Sequence, residues 1–147
     1  MNKSIFVINN PITCDILQQY IDLTILENGK GVGCLDWCFC NSFTSAICFT
    51  KKSSLKEIDE SNDEILRWIY KLSISYLRSS GVDDSKLSLN FIECISCNDP
   101  ILLKNSKDYN IIYHFTGKYG YITTHSDKLN YLVDDNKYIL LSFDKIK

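Results

Sequence analysis

The clearest alternation of apolar and polar positions lies in residues 61–81, where large apolar side chains recur every three or four positions. This spacing predicts one long α-helix, around which the rest of the chain packs. Ser61 and Glu64 form a pair typical of a helix start, and Gly81 is typical of a left-handed helix stop. We expect the buried side of this helix to hold Ile65, Trp68, Ile69, Leu72 and Tyr76, widened by Leu66 and Leu77.

A second helix is predicted over residues 11–27, because Asn10-Pro11 is typical of a helix start and Asn28-Gly29 of a helix end. Short runs rich in β-branched and aromatic residues predict strands elsewhere in the chain. These runs cover residues 4–9, 31–40, 43–50, 87–96, 109–115, 119–125 and 137–143.

With a short helix over residues 126–133, the predicted order of elements is β-α-β-β-α-β-(β-β)-α-β. Residues 31–40 are apolar on both faces, which indicates a central strand, and residues 43–50 would return from it as a hairpin. Residues 126–133 predict a short helix capped by Ser126. The pattern therefore predicts an α+β (mixed α/β) fold: a single compact domain over residues 1–147, with a mostly antiparallel sheet of about five to seven strands packed against two main helices.

Composition excludes several classes of protein. The formal net charge is −2, and the only arginines are Arg67 and Arg78, so the chain lacks the basic stripe of a nucleic-acid-binding protein. No segment approaches the ~18 apolar residues of a membrane span, and residues 1–20 lack a secretory signal pattern. We therefore expect a cytoplasmic protein that binds neither nucleic acid nor membrane. The sequence leaves the oligomeric state open.

Seven cysteines and two histidines would be enough ligands for a zinc site. Their spacing argues against one, because Cys38 and Cys40 point the same way along a predicted strand and cannot both turn toward one ion. Cys94 and Cys97 are better placed at a strand end, and whether they bind a metal or form a disulfide is left open. We expect no cofactor and no metal, with most cysteines reduced and buried.

A small intracellular enzyme is one possible function. Its site would use Asp36 or Glu93, which lie in apolar strands, or a cysteine together with His114 or His125. A carboxyl group in an apolar strand needs a hydrogen-bond partner or has a raised pKa. No phosphate-binding, dinucleotide-binding or metalloprotease motif accompanies these residues. We therefore assign no catalytic residue and favour structural roles for both carboxyl groups.

Acidic residues cluster at the predicted helix starts and turns, where they would cap helices and remain solvated. They also suit a surface complementary to a basic protein. The candidate partner-binding residues are Asp59, Glu60, Asp63, Asp83, Asp84, Asp134 and Asp135. Our leading hypothesis is a non-enzymatic inhibitor, an immunity protein that neutralises a cognate toxin such as a basic nuclease by direct binding. A viral or phage protein that binds a host factor is a further alternative.

Overall fold

A computed structural model describes residues 3–26, 37–41, 45–49, 64–96, 100–133 and 137–146. The helices are α1 (Pro11–Leu26) and α2 (Glu64–Ser79), and a short 3-10 helix (Asp84–Lys86) follows α2. The strands are β1 (Lys3–Ile8), β2 (Trp37–Asn41), β3 (Ser45–Phe49), β4 (Leu87–Ser96), β5 (Ile101–Asn105), β6 (Tyr109–Thr116), β7 (Tyr119–His125), β8 (Leu129–Val133) and β9 (Lys137–Lys145).

Seven strands form one sheet in the order β1-β7-β6-β9-β4-β3-β2, and every neighbouring pair is antiparallel. Strands β5 and β8 pair separately and form a two-stranded ribbon. The tight β6–β7 turn uses Gly117, whose φ of 62° suits the two-residue turns that fit the twist of a hairpin. The predicted α+β class, with a largely antiparallel sheet and two main helices, is confirmed.

The central strands of the sheet are buried on both faces. Along β9, Ile139, Leu141 and Phe143 face the helices, whereas Tyr138 and Leu140 face the ribbon. The larger core lies between the sheet and the two helices, and the smaller core lies between the sheet and the ribbon. The described elements therefore stack as helices, sheet and ribbon. The assignment of residues 1–147 to one domain stays a prediction, because the described ranges leave gaps.

The start of α1 and the end of α2 have the caps that the sequence predicts. The Asn10 side chain accepts the backbone N–H of Ile12 at 2.9 Å, so Asn10 caps α1. At the end of α2, Gly81 has a φ of 84°, and the N–H of Val82 donates to the carbonyl of Leu77 at 3.0 Å. This is the Schellman arrangement, and it confirms Gly81 as the helix stop. Ser61, the predicted cap of α2, lies outside the described residues.

The predicted buried side of α2 is confirmed at Leu66, Ile69 and Leu77, but the centre of the buried side lies about one position, or about 100°, further around the helix than predicted. Trp68 is 38% exposed, and Ile65, Leu72 and Tyr76 are only partly buried. The fully packed side consists of Leu66, Ile69, Tyr70, Ser73, Ile74 and Leu77.

Ser73 lies on this fully packed side. Its hydroxyl donates to the carbonyl of Ile69 at 2.7 Å and lies 2.7 Å from the hydroxyl of Tyr113 on β6. The Tyr113 hydroxyl also lies 3.1 Å from the carbonyl of Ile69, so it can donate its one proton either to Ser73 Oγ or to that carbonyl. Because these partners satisfy the polar atoms, a serine can occupy the centre of the core, which a count of apolar positions along α2 does not anticipate.

Two further predictions were wrong, one of a helix and one of the position of a strand in the sheet. Residues 126–133 contain strand β8 and not a helix: Leu129 and Val133 are buried on the side that faces the sheet, and Asn130 and Leu132 are exposed, so the period is two. Strand β2 lies at one end of the sheet, and not at its centre, among the strands that the structure describes. Five-residue apolar runs do not distinguish these cases, because neighbours decide which faces are covered.

The buried Ser73–Tyr113 contact gives a stability prediction. We expect Tyr113→Phe to lower the free energy of unfolding by about 1–2 kcal/mol, because the variant loses buried hydrogen bonds while it keeps the ring. Urea unfolding measures this change, and Tyr119→Phe is the matched control because Tyr119 is 78% exposed. Equal effects of the two substitutions would contradict the prediction.

Candidate functional site

Of the acidic candidate residues, the structure describes Asp83 and Asp84; Asp59, Glu60, Asp63, Asp134 and Asp135 lie outside the described residues. The Asp83 carboxylate accepts the hydroxyl of Ser85 at 2.7 Å and its backbone N–H at 3.1 Å. Asp84 pairs with Arg78, whose Nε and Nη2 donate at 2.6 and 3.1 Å. These hydrogen bonds lower the pKa of both carboxyl groups.

Asp83 and Asp84 therefore fix the turn that leads from α2 to β4. Asp83 caps the 3-10 helix, and Asp84 ties it to the last turn of α2 through Arg78. Both residues also remain at the surface, so their predicted contact with a partner stays a prediction.

Glu93 lies on the ribbon side of β4 and is half-buried. The hydroxyl of Tyr138 donates to its Oε1 at 3.2 Å. Burial raises the pKa of Glu93 to about 7, and the hydrogen bond from Tyr138 opposes this rise. The sequence-based expectation of either a partner or a raised pKa for Glu93 is confirmed in both respects. Asp36, the other candidate carboxyl group, lies outside the described residues.

A carboxyl group with a pKa near 7 can exchange protons at neutral pH, as a general acid or base does. The same-face neighbours of Glu93 on β4 are Phe91 and Ile95, which belong to the apolar core beneath the ribbon. Among the side chains that the structure describes, the environment of Glu93 is apolar with one tyrosine hydroxyl, and these groups include no nucleophile or oxyanion donor for the carboxyl group. We therefore interpret Glu93 as a structural carboxyl group.

The two histidines meet at one threonine, in what we call the His–Thr–His cluster. Nε2 of His114 lies 2.9 Å from Oγ1 of Thr123, and Nε2 of His125 lies 3.1 Å from the same atom. Tyr121 stacks on His114 with ring centroids 4.3 Å apart. Tyr131 of the ribbon contacts both imidazoles, with centroid distances of 6.0 and 5.4 Å. The cluster therefore joins β8 to the sheet.

A hydroxyl beside an imidazole is also the geometry of an activated nucleophile. Here Thr123 and His114 are fully buried and His125 is 6% exposed, so the ribbon keeps a substrate away from the hydroxyl. One hydroxyl proton can serve only one of the two imidazoles, so with both rings neutral the other must donate its own N–H to Oγ1. Burial lowers the pKa of His125 to about 4, with further contributions from Lys3 and His114. These observations indicate a structural cluster.

The cysteines described with their side chains behave as small apolar residues. Cys14 is a free thiol, and Cys14 and Cys94 are both fully buried in the larger core. Burial raises the pKa of the Cys14 thiol, which opposes formation of a reactive thiolate. Within the described ranges, no three His, Cys, Asp or Glu side chains are grouped to hold a metal ion. Cys97 lies outside them, so the question of a Cys94–Cys97 site stays open.

One cavity of about 280 Å³ lies near the C-terminal end of α2, between Ser80, Ser4 of β1 and Thr124 of β7. Known ligand pockets begin at about 300 Å³, so this space suits only a small polar molecule. The hydroxyls of Ser80 and Thr124 already lie 3.1 Å apart, within hydrogen-bond distance of each other. These two hydroxyls therefore have a partner without any ligand.

One surface feature that the sequence did not predict is the α1 outer stripe, formed by Ile12, Ile16 and Leu23. These side chains are 70%, 39% and 47% exposed and repeat at helical spacing on the side away from the sheet. Asp15 and Asp22 lie beside them and are exposed, and α1 contains no lysine or arginine. The sequence contains a signal for this exposed stripe, because α1 has more apolar positions than one helix face can bury.

No protein-family model, curated protein or solved structure matches the chain. In the part of the chain that the structure describes, neither helix combines the length and apolar character needed to cross a membrane. The described residues thus define an antiparallel α+β protein with a mixed apolar and acidic helix surface.

The environment of His125 predicts a loss of stability in acid. An unfolded histidine takes up a proton below about pH 6.5, whereas folded His125 does so only near its pKa of about 4. Between these pH values the unfolded state therefore binds more protons. As the pH is lowered through this range, His125 decreases the free energy of unfolding by up to roughly 3 kcal/mol. Urea unfolding of the wild type and His125→Gln at several pH values should show a flatter pH dependence in the variant. Parallel curves would contradict this assignment.

Glu93 predicts the opposite slope. Its folded pKa of about 7 lies above the ordinary value of 4.5, so the folded state binds more protons between these values. The stabilisation is present below pH 4.5 and is lost as pH rises through 7. Because His125 contributes the opposite slope below pH 6.5, the readout is the difference between the two proteins: the stability of Glu93→Gln should rise relative to that of the wild type as pH increases from 5 to 7, measured in the same titration. An ordinary pKa for Glu93 by NMR would contradict it.

Proposed function

We propose that the protein is a non-enzymatic, protein-binding inhibitor of the immunity type, which neutralises a cognate toxin by covering its active site. The observation that carries this proposal is the α1 outer stripe: Ile12, Ile16 and Leu23 are exposed on a helix whose opposite side is already packed on the sheet. Full burial of such side chains contributes on the order of 1.5–3 kcal/mol each, so a partner that covers them gains affinity.

The charge around the stripe supports a basic partner. Asp15 and Asp22 are the charged residues of α1, and both are acidic. Asp22 pairs with Lys137 at 2.7 Å, which leaves Asp15 as the carboxylate of α1 directed mainly to solvent or to a partner. A basic toxin such as a nuclease would match this surface, and opposite charges would speed its association. The inhibitor would act in the cytoplasm of the cell that it protects.

The main alternative is a small enzyme, and Glu93 is the observation that favours it, because a pKa of about 7 suits proton transfer. The apolar neighbours of Glu93 weigh against this alternative. The two functions separate by experiment, since an enzyme would lose activity in Glu93→Gln and an inhibitor would keep its binding.

The proposed function is tested by co-purification with the protein that the neighbouring gene encodes. We expect a stable complex that weakens as salt rises, because ionic strength screens exposed charge pairs. The double variant Ile12→Lys/Leu23→Lys should bind at least about a hundredfold more weakly, since it places two cations on an apolar stripe that would face a basic partner.

The matched control is Leu102→Lys/Leu132→Lys, because these ribbon residues are 51% and 59% exposed and face away from the sheet. Circular dichroism should show that both double variants are folded. The absence of a complex with any neighbour, or an equal loss of binding in the control, would contradict the proposal.

A further inference from the structure

Strand β1 ends the sheet, and no described strand pairs with its outer edge. It pairs with β7 residue by residue over Lys3–Ile8, without the register shifts of the β2–β3 and β4–β9 pairs. In an antiparallel sheet, alternate residues direct their backbone N–H and C=O groups to opposite neighbours. About half of the β1 residues therefore present both groups to the outer edge.

Proline, bulges and charges are the devices that usually prevent strand association, and β1 has no proline, no bulge and a single charge at its first residue. Lys3 is the only charged residue of β1, and its ammonium group lies 4.7 Å from the ring centroid of Tyr131. Ile5 and Val7 are 60% and 66% exposed on the ribbon side of the sheet. On the helix side, the ring of Phe6 packs 4.4 Å from that of Tyr76. The edge strand thus has no bulge and is largely apolar, and its helix side is packed against α2 through Phe6.

We propose that β1 pairs antiparallel with β1 of a second copy of the chain, about a two-fold axis at Phe6, so that one sheet continues through both copies. A strand that pairs with itself must place residues of the same face opposite each other. With Phe6 opposite Phe6, Ile5 lies opposite Val7 of the other copy, and the four aliphatic side chains form one strip on the ribbon side.

The charges on β1 are compatible with this pairing. Residues 4–8 carry no charge, and each Lys3 lies opposite Asn9 of the other copy. The two Lys3 positions are then six residues apart along the paired strands, or about 20 Å, which exceeds the screening length of about 8 Å in physiological salt. A second copy is the occupant that supplies a strand of the required length, apolar pattern and charge without any further protein.

The area of the interface sets the expected strength. A six-residue strand pair hides less surface than the roughly 1,200–2,000 Å² of a stable complex, so the dimer belongs to the weak class. We expect a dissociation constant on the order of 10 to 100 µM. The α1 outer stripe contains no β1 residue, so this dimer does not depend on the proposed inhibitor function.

Sedimentation equilibrium of the full chain, over about two decades of concentration around this value, tests the proposal. The wild type should show a monomer–dimer equilibrium, and Val7→Lys should raise the dissociation constant at least about tenfold, because it places a cation in the aliphatic strip. The matched control is Leu132→Lys, at a residue that is 59% exposed on the ribbon, and it should dimerise as the wild type does. A wild type that stays monomeric, or a Val7→Lys variant that dimerises normally, overturns the proposal.

Hydrogen exchange of the wild type provides a second test that does not depend on a variant that folds. Protection of the outward backbone N–H groups of β1 should increase with protein concentration, because pairing withdraws them from water. Concentration-dependent protection confined to other elements would overturn the β1 interface even if a dimer forms.

Discussion

The structure depends on the burial of β9 on both of its faces. This strand hydrogen-bonds to β4 on one side and β6 on the other, and Tyr138 through Phe143 are all almost fully buried. Its helix-facing side chains complete the larger core, and its ribbon-facing side chains complete the smaller one. Because four strands, β5 to β8, lie between β4 and β9 in the sequence, neither core is complete until the pairing between these distant segments has formed.

The ribbon is held to the sheet by polar contacts at two places in addition to its apolar core. Asn105 of β5 donates to Asn110 at 3.0 Å and to Ser142 at 2.6 Å, and the Ser142 hydroxyl donates to Asn110 at 2.7 Å. The His–Thr–His cluster lies against Tyr131 of β8. Buried polar groups with satisfied partners specify one arrangement of the ribbon on the sheet, because a shifted ribbon would leave them unpaired. This role accounts for the histidines without catalysis.

The side chains exposed at the surface differ in kind from those buried in the interior. Thiols, imidazoles and the tyrosine beside Ser73 are enclosed in the described part of the chain, whereas aliphatic side chains remain exposed on α1, on β1 and on the outer face of the ribbon. Reactive groups placed away from solvent suit a structural role, and exposed aliphatic groups suit contact with another protein. These exposed aliphatic side chains are the observation on which the proposed binding function rests.

Local sequence determined the type and position of most described elements, because capping, turn geometry and side-chain period act over a few positions. The features that follow from neighbouring residues are the cap at Asn10, the stop at Gly81, the β6–β7 hairpin and strands β4 and β9. Only the tertiary structure decided which faces are buried. Ser73 occupies the core because Tyr113, forty positions away, satisfies its hydroxyl. The strand at β8, the edge position of β2 and the exposure of Ile12 likewise depend on partners from distant segments, and no local period encodes those contacts.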